Sequence, residues 1–370
     1  MAGSAKRQLE SSTRPRPTPA AEELRTNLRK YARRGGITLV VGAGVSIPRG
    51  VPNWEYLARA VWKKAFGKTG SPWVGKGSSG QVSQFLPIIF ELVYRKLGQE
   101  KFIESLKENL YAGVKYPGDD RTFKSSSESL AVIARLIFQE YKRKAGRRID
   151  AVITLNADDL IEQAVNTFAD ARTLRDPFGR PIVQSIARST HFDPRGHVFR
   201  PIPVYHIHGF LPSERSARIE RFDQTFVFTD TQYWSTSASA LTFANRVMAS
   251  ALSEGRCVFI GLSMTDINLL RWLALRTIER DRDYAETTTK ARPLPLRLKV
   301  MNIQFERHFW IRPASDDPNG FLTRFLRERG INAIEINSWA GEDFRNLMEE
   351  CFDPPAPVKR TNSNARTAKA

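Results

Sequence analysis

Cysteine is nearly absent from this chain: Cys257 and Cys351 are the only two in 370 residues, and they stand far apart. Two such residues exclude a disulfide framework and any zinc site built from paired C-x-x-C motifs. Long apolar runs are missing as well. None approaches the roughly 20 residues that span a bilayer, so no membrane partner is expected. The first twenty residues, MAGSAKRQLESSTRPRPTPA, are basic and proline-rich without the apolar core of a secretion signal, which makes a cytoplasmic location the expectation. Acidic residues are outnumbered: 39 Asp plus Glu against 57 Lys plus Arg leave a net charge of +18. A field of that sign attracts nucleic acid, anionic nucleotides or an acidic partner without choosing among them.

What is present describes a folded chain, with 41% hydrophobic and 10% aromatic residues. Residues 1–20 and 353–370 lack periodicity and are rich in Pro, Ser, Thr, Ala and basic residues. They are expected to be disordered basic tails on either side of a domain over 21–352.

Inside those limits strands and helices alternate. Residues 22–34 form a short basic helix, and Ile37 to Val41 is apolar without alternation, the pattern of a strand buried on both faces. Residues 54–66 place Trp54, Leu57, Val61 and Trp62 at helical spacing. A glycine-rich loop, GKTGSPWVGKGSSG, leads into helical stretches over 81–113 and 127–144, so roughly 70–145 reads as a helical insertion. RIDAVITLNADDLIEQAV reads as strand, tight turn and helix, and IPVYHIHGF as a strand ending at Gly209. A helix near 239–254 precedes the strand in RCVFIGLSMTD and the helix INLLRWLALRTIE; LKVMNIQF and INAIEIN are expected as the last strands. The order predicts an α/β fold, a Rossmann-like parallel sheet covered by helices on both faces. Ligands of such sheets bind at the carboxyl ends of the strands. Four segments bring polar or flexible residues there: Gly42 to Ser46, Thr154 to Asp159, His208, and Gly261 to Asp266.

Gly42-Ala43-Gly44 after a buried strand allows the backbone to approach a diphosphate closely, with the turn and the following helix as donors. A tight turn accounts equally for the glycine pair taken alone. Ile47 stands where G-x-G-x-x-G has its third glycine, and no strand ends in an acidic residue about 20 positions later, which disfavours a plain dehydrogenase fold. Gly70 to Gly77, GSPWVGKG, copies the spacing of a P-loop, but Gly77 replaces the hydroxyl residue that would hold magnesium, and a plain loop is the better reading. Asn156, Asp158 and Asp159 lie where a strand turns into a helix. Either aspartate could cap that helix; capping accounts less well for Asn156, at the strand tip. His206 and His208 share one face of a strand by its period of two. Three readings stay open for them: satisfied core histidines, a metal pair completed by His191, Asp193 or His197, or a catalytic base with a structural neighbour.

Taken together and in this order, the segments resemble the SIR2-like (sirtuin-type) family, and its bacterial anti-phage defence branch more closely than its protein deacylases. GAGVSIPRGVPNW is similar to the signature G-A-G-x-S-x-x-x-G-[IV]-P, and TLNAD to T-x-N-x-D. HIHG carries the H-G pair of the catalytic histidine, and FIGLSMTD is similar to the G-[TFY]-S segment that closes the NAD pocket. The resemblance covers roughly residues 36–340. Two departures matter. The deacylases carry a zinc module of two C-x-x-C pairs, which two distant cysteines cannot build, and Asn53-Trp54-Glu55 stands where Asp-Phe-Arg follows G-I-P. Peptide deacylation is therefore not expected, whereas breaking the nicotinamide–ribose bond requires neither feature.

The resemblance implies an NAD hydrolase with NAD as substrate and no metal. Cleaving an N-glycosidic bond passes through an oxocarbenium-like state, so the site must hold the diphosphate, orient the ribose, bind the leaving carboxamide and supply a base. Gly42, Ala43, Gly44 and Ser46 suit the first task, and Asn156 can align the ribose or an attacking water. Asp158, matching the family's acid, can accept from the carboxamide. His208 can take the proton, and Gly261 and Ser263 would line the adenosine side, with Asp266 capping the next helix. The resemblance further implies an NAD-depleting effector of anti-phage defence, a homo-oligomer held off until a HerA-type ATPase or an Argonaute partner activates it. Two other classes remain: a metal-dependent nuclease using the basic field and the histidines, and a non-catalytic NAD or ADP-ribose sensor using the same cradle.

Overall fold

The computed structural model describes residues 19–67, 72, 85–143, 146–169, 181–189, 201–216, 225–290, 307–339 and 342–352. The runs of β-branched and apolar residues form a seven-stranded parallel sheet in the order β3-β4-β2-β1-β7-β8-β9. Its strands are β1 (Ile37–Val41), β2 (Ile149–Thr154), β3 (Val183–Ile186), β4 (Ile202–His206), β7 (Arg256–Ile260), β8 (His308–Pro313) and β9 (Ile331–Ile336). A separate antiparallel pair joins β5 (Gly209–Phe210) to β6 (Thr225–Phe226). Eleven α-helices accompany the strands among the described residues, and the fold is Rossmann-like.

β1 is central because all five of its residues are buried. Its side chains alternate between two cores. Ile37, Leu39 and Val41 join a core with α1 (Pro19–Arg34), α2 (Trp54–Phe66), α3 (Leu86–Leu97), α4 (Gln99–Tyr111), α5 (Ser129–Lys142), α6 (Leu160–Phe168) and α11 (Glu342–Phe352). Val40 joins the opposite core with Ile153, Phe259 and helices α8 (Phe243–Ser253), α9 (Ile267–Lys290) and α10 (Phe321–Glu328). Both faces of the sheet are thus covered, which an unbroken apolar strand requires. Each fully buried Leu, Ile or Phe contributes about 1.5–3 kcal/mol of transfer free energy to that arrangement.

From β1 the chain builds β2, β3 and β4 on one side before it crosses to β7 on the other, so the crevice beside the carboxyl end of β1 is the topological switch point. The helical stretches expected between 81 and 144 are α3, α4 and α5. Asn53 caps α2, its side chain accepting from the Tyr56 N–H at 2.8 Å.

Several boundaries differ from the sequence reading. α1 begins at Pro19, inside the stretch expected to be a tail, because proline's fixed φ suits a first helical turn. The strand expected to run to Gly209 stops at His206; residues 207–208 form a turn and Gly209 takes φ +101°. β3 and the short helix α7 (Asp230–Ser237) were not anticipated. LKVMNIQF lies outside the described residues, and the strand of that region is the following segment, HFWIRP. Its buried His308 and Arg312 hide it from an apolar pattern; Arg312 is held at 2.7 Å by Glu335 of β9 and at 2.9 Å by the Thr323 hydroxyl. Residues 1–18 and 353–370 and nearly all of the P-loop-like stretch Gly70 to Gly77 also lie outside the described residues. No helix among the described residues is long and apolar enough to cross a membrane.

Candidate active site

The loop after β1 and the loop after β7 are packed backbone to backbone. Gly42 N–H donates to the Ile260 carbonyl at 3.0 Å and Gly44 N–H to the Gly261 carbonyl at 2.9 Å. A Cβ on Gly42 would lie 2.4 Å from Leu262 Cδ2, and one on Gly44 would lie 2.9 Å from Gly261 Cα. Gly261, at φ +66°, faces Val45 as closely. Val45 N–H and Ser46 N–H close the short turn on the Gly42 and Ala43 carbonyls. The glycine pair therefore serves a close approach between two loops, with the N–H groups of residues 42, 44, 45 and 46 engaged inside the protein. Ser263 is exposed beside them, its hydroxyl 2.7 Å from that of Thr265.

At the end of the neighbouring strand β2, Asn156 is buried with its Nδ2 3.2 Å from the Gly42 carbonyl and 3.1 Å from Ser46 Oγ. Its Oδ1 is buried with no partner. Ser46 donates to Asp158 Oδ1 at 3.2 Å, and the same oxygen accepts the Leu160 N–H at 3.1 Å, which caps α6. Burial, reinforced by the nearby Asp159 and Glu162 carboxylates, raises the Asp158 pKa to about 7. Asp159 is no cap. It is buried and accepts from Ser213 N–H (2.8 Å), Ser213 Oγ (2.7 Å), Tyr111 Oη (3.1 Å) and the Ser216 hydroxyl.

The two histidines do not share a strand face, because the turn at 207–208 sends them apart. His206 is held between Glu162 Oε1, 2.7 Å from Nε2, and the Asn156 carbonyl, 3.2 Å from Nδ1. Both ring nitrogens are occupied, so a metal on His206 would have to displace one of these partners. Among the described residues no group of three or more His, Cys, Asp or Glu is arranged to hold a metal; His191, Asp193 and His197 lie outside them. His208 is buried too, but its Nε2 has no hydrogen-bond partner. The nearest carboxylate oxygen in ion-pair range is Asp266 Oδ1 at 3.8 Å, and the Tyr233 ring meets the imidazole edge-on at 5.5 Å. Asp266 also caps α9 through the Leu269 N–H at 2.9 Å.

The strand tips thus bring Gly42, Gly44, Ser46, Asn156 and Asp158 into one hydrogen-bonded cluster that includes Gly261. Sequence reasoning missed Glu162, Tyr233 and the second role of Asp266. Glu162 carried no pattern signal: it lies about 60° beyond the apolar stripe Leu160, Ile161, Ala164 and Val165 of α6 and is buried only because His206 and Ser185 meet it there.

Asn156 Oδ1 and His208 Nε2, at neighbouring strand ends, are among the buried polar atoms without a partner, and because an unmade buried bond costs about 1–3 kcal/mol a polar ligand bound there would relieve that cost. No curated protein matches the chain. The family model for the SIR2-like domain matches residues 150–334, half of the chain, and includes the strand ends carrying Asn156, His208 and Gly261. By that match the chain belongs to the family of SIR2-like domains, which fits an NAD-dependent enzymatic role.

Proposed function

We propose that this chain hydrolyses NAD at the nicotinamide–ribose bond, giving nicotinamide and ADP-ribose. The observation that supports it most is the pair of unpartnered buried atoms, Asn156 Oδ1 beside the Gly42–Ser46 loop and His208 Nε2 at the neighbouring strand end, in a SIR2-like chain. Asn156 Oδ1 accepts from a ribose hydroxyl or from the attacking water, while its Nδ2 stays tied to Gly42 and Ser46. Water oxygen bonds to ribose C1′ as the C1′–N bond breaks, the nicotinamide leaves with the bonding pair as a neutral base, and the water proton passes through His208 to solvent. General-base assistance of this kind contributes typically about 10²–10⁴-fold. In this reading Gly42, Ala43, Gly44 and Ser46 lie along the diphosphate, Asp158 meets the carboxamide, and Gly261 and Ser263 face the adenosine.

The same resemblance extends the proposal to an NAD-depleting effector of anti-phage defence, active as a homo-oligomer and released by a partner of the HerA-type ATPase or Argonaute kind. The test is release of nicotinamide and ADP-ribose from NAD by the purified chain, by Asn156→Ala and by His208→Ala, with and without EDTA. Release that both substitutions abolish and EDTA leaves intact is the expected result. NAD binding without release, unaltered by either substitution, would favour a sensor, and EDTA-sensitive turnover would overturn the metal-free mechanism.

A further inference from the structure

The edge of the sheet opposite the candidate site is lined with arginine. All the strands of the main sheet are parallel, so their amino ends share one edge, and arginines stand at the entrance to five of them. Arg33 and Arg34 precede β1, Arg147 and Arg148 precede β2, Arg256 opens β7, Arg307 precedes β8, and Arg327 and Arg329 precede β9. Arg180 and Arg200 stand ahead of β3 and β4 in the sequence but lie outside the described residues. Carboxylates at these entrances are fewer among the described residues: Glu140, Asp150, Glu254 and Glu328, of which Glu140 already binds Arg143 and the Arg148 N–H; Glu306, ahead of Arg307 in the sequence, lies outside them.

Backbone carbonyls anchor several of these guanidinium groups. Arg256 donates to the Gly35 carbonyl at 3.1 Å while lying over the Tyr31 ring, Arg307 donates to Ser253, and Arg148 donates to Phe352. Arg276 reaches the same edge from α9 and donates to the Arg329 carbonyl at 3.1 Å. Among the described residues Arg33, Arg34, Arg256, Arg307, Arg327 and Arg329 form no ion pair with a carboxylate. The cations also crowd one another. Burial and then the neighbouring Arg307 lower the Arg276 pKa to about 10, and burial and then Arg256 lower that of Arg307. A fold that holds like charges together by their carbonyl anchors is arranged for an anion that neutralises them.

The spacing indicates which anion. Neighbouring strands lie about 4.8 Å apart, so the row from β1 to β9 extends about 14 Å, far longer than a single phosphate and the length of about four phosphates along one nucleic-acid strand. We propose that this arginine row is a sequence-independent binding surface for the phosphate backbone of nucleic acid, on the sheet edge opposite Asn156 and His208. The proposal does not depend on NAD cleavage.

The test is fluorescence anisotropy of labelled single-stranded and duplex oligonucleotides with the full chain over a salt series. Three forms are compared with wild type: Arg33→Gln/Arg34→Gln/Arg327→Gln, whose residues are exposed; the same three changed to Lys; and Lys6→Gln/Arg7→Gln/Arg366→Gln near the chain ends. The Gln form at the edge should bind more weakly and flatten the log K against log salt slope by about one per cation removed, about three in all. The Lys form should keep the slope, and the chain-end form should change it less than the edge form. Absence of binding by wild type, an unchanged slope in the edge Gln form, or an equal loss in the chain-end form would overturn the proposal. Matching unfolding midpoints identify the loss as electrostatic.

Discussion

Glu162 Oε1 lies 2.7 Å from His206 Nε2, and the other nitrogen of that ring lies 3.2 Å from the backbone carbonyl of Asn156. A carbonyl can only accept, so Nδ1 carries a hydrogen and Nε2 shares a second proton with the carboxylate. Burial pulls the His206 pKa down, but the Glu162 charge and hydrogen bond more than restore it, and the net shift is upward. Ser185 Oγ, donating to Glu162 at 2.8 Å, extends the chain to β3. His206 therefore holds the backbone of Asn156 through its Nδ1 bond. Glu162→Ala is expected to cost about 3–5 kcal/mol by leaving a buried cation alone, with a smaller loss for Glu162→Gln, and urea unfolding measures both. At equal folded fraction, Glu162→Gln should still slow nicotinamide release, a loss that a purely structural role would not produce.

The loop contact between Gly44 and Gly261 leaves no room for a methyl group. Gly44→Ala and Gly42→Ala are each expected to destabilise the chain by about 1–3 kcal/mol, the cost of forcing an added group into packed atoms, and to abolish release by displacing Ser46 and Asn156. Thermal unfolding with a release assay checks both, and unchanged activity in Gly44→Ala would show that the tight apposition is dispensable.

Asp158 gives the stability a pH dependence of defined sign. Its folded pKa is raised from 3.8 to about 7, so its contribution is fully present below about 4 and is lost as the pH rises through about 7. His206, also shifted upward, adds a loss above its unfolded value near 6.5. Between pH 5 and pH 8 the wild type should lose a few kcal/mol of unfolding free energy, to within a factor of about two. Asp158→Asn should flatten the part of that loss below pH 6.5. Denaturant titrations at several pH values separate the two groups.

Asp266 has two roles that substitution can divide. Asn keeps a side-chain oxygen for the Leu269 N–H, so Asp266→Asn should leave stability within about 0.5 kcal/mol, whereas Asp266→Ala should lose about 1 kcal/mol with the cap. If the carboxylate 3.8 Å from His208 Nε2 supports the proton that His208 accepts, Asp266→Asn should lower kcat for nicotinamide release with KM little changed. Wild-type turnover in Asp266→Asn would reduce Asp266 to a helix cap.

Much of the fold was legible because its signals are local. Ile37–Val41 is apolar at every position, α2 runs over the predicted 54–66, and Asn53 caps it as a short polar side chain should. The illegible parts are those where tertiary partners override pattern. β8 contains an arginine that Glu335, Thr323, Asp317 and the Pro313 and Ala314 carbonyls make tolerable in a buried strand. The turn after His206 separates two histidines that a period of two had placed on one face.

The sequence by itself determined an alternation of strands and helices and the delivery of Gly42, Asn156, His208 and Gly261 to strand ends, because hydrophobic periodicity and glycine placement act over a few residues. Only the tertiary structure decided what each polar atom meets: that the glycine pair packs against Gly261, that Glu162 captures His206, and that Asn156 Oδ1 and His208 Nε2 are left without partners. It also gathered arginines scattered from position 33 to position 329 onto one edge. Hydrogen bonding and desolvation depend on distances of a few ångströms between residues far apart in the chain, and parallel strand order is what brings those residues together.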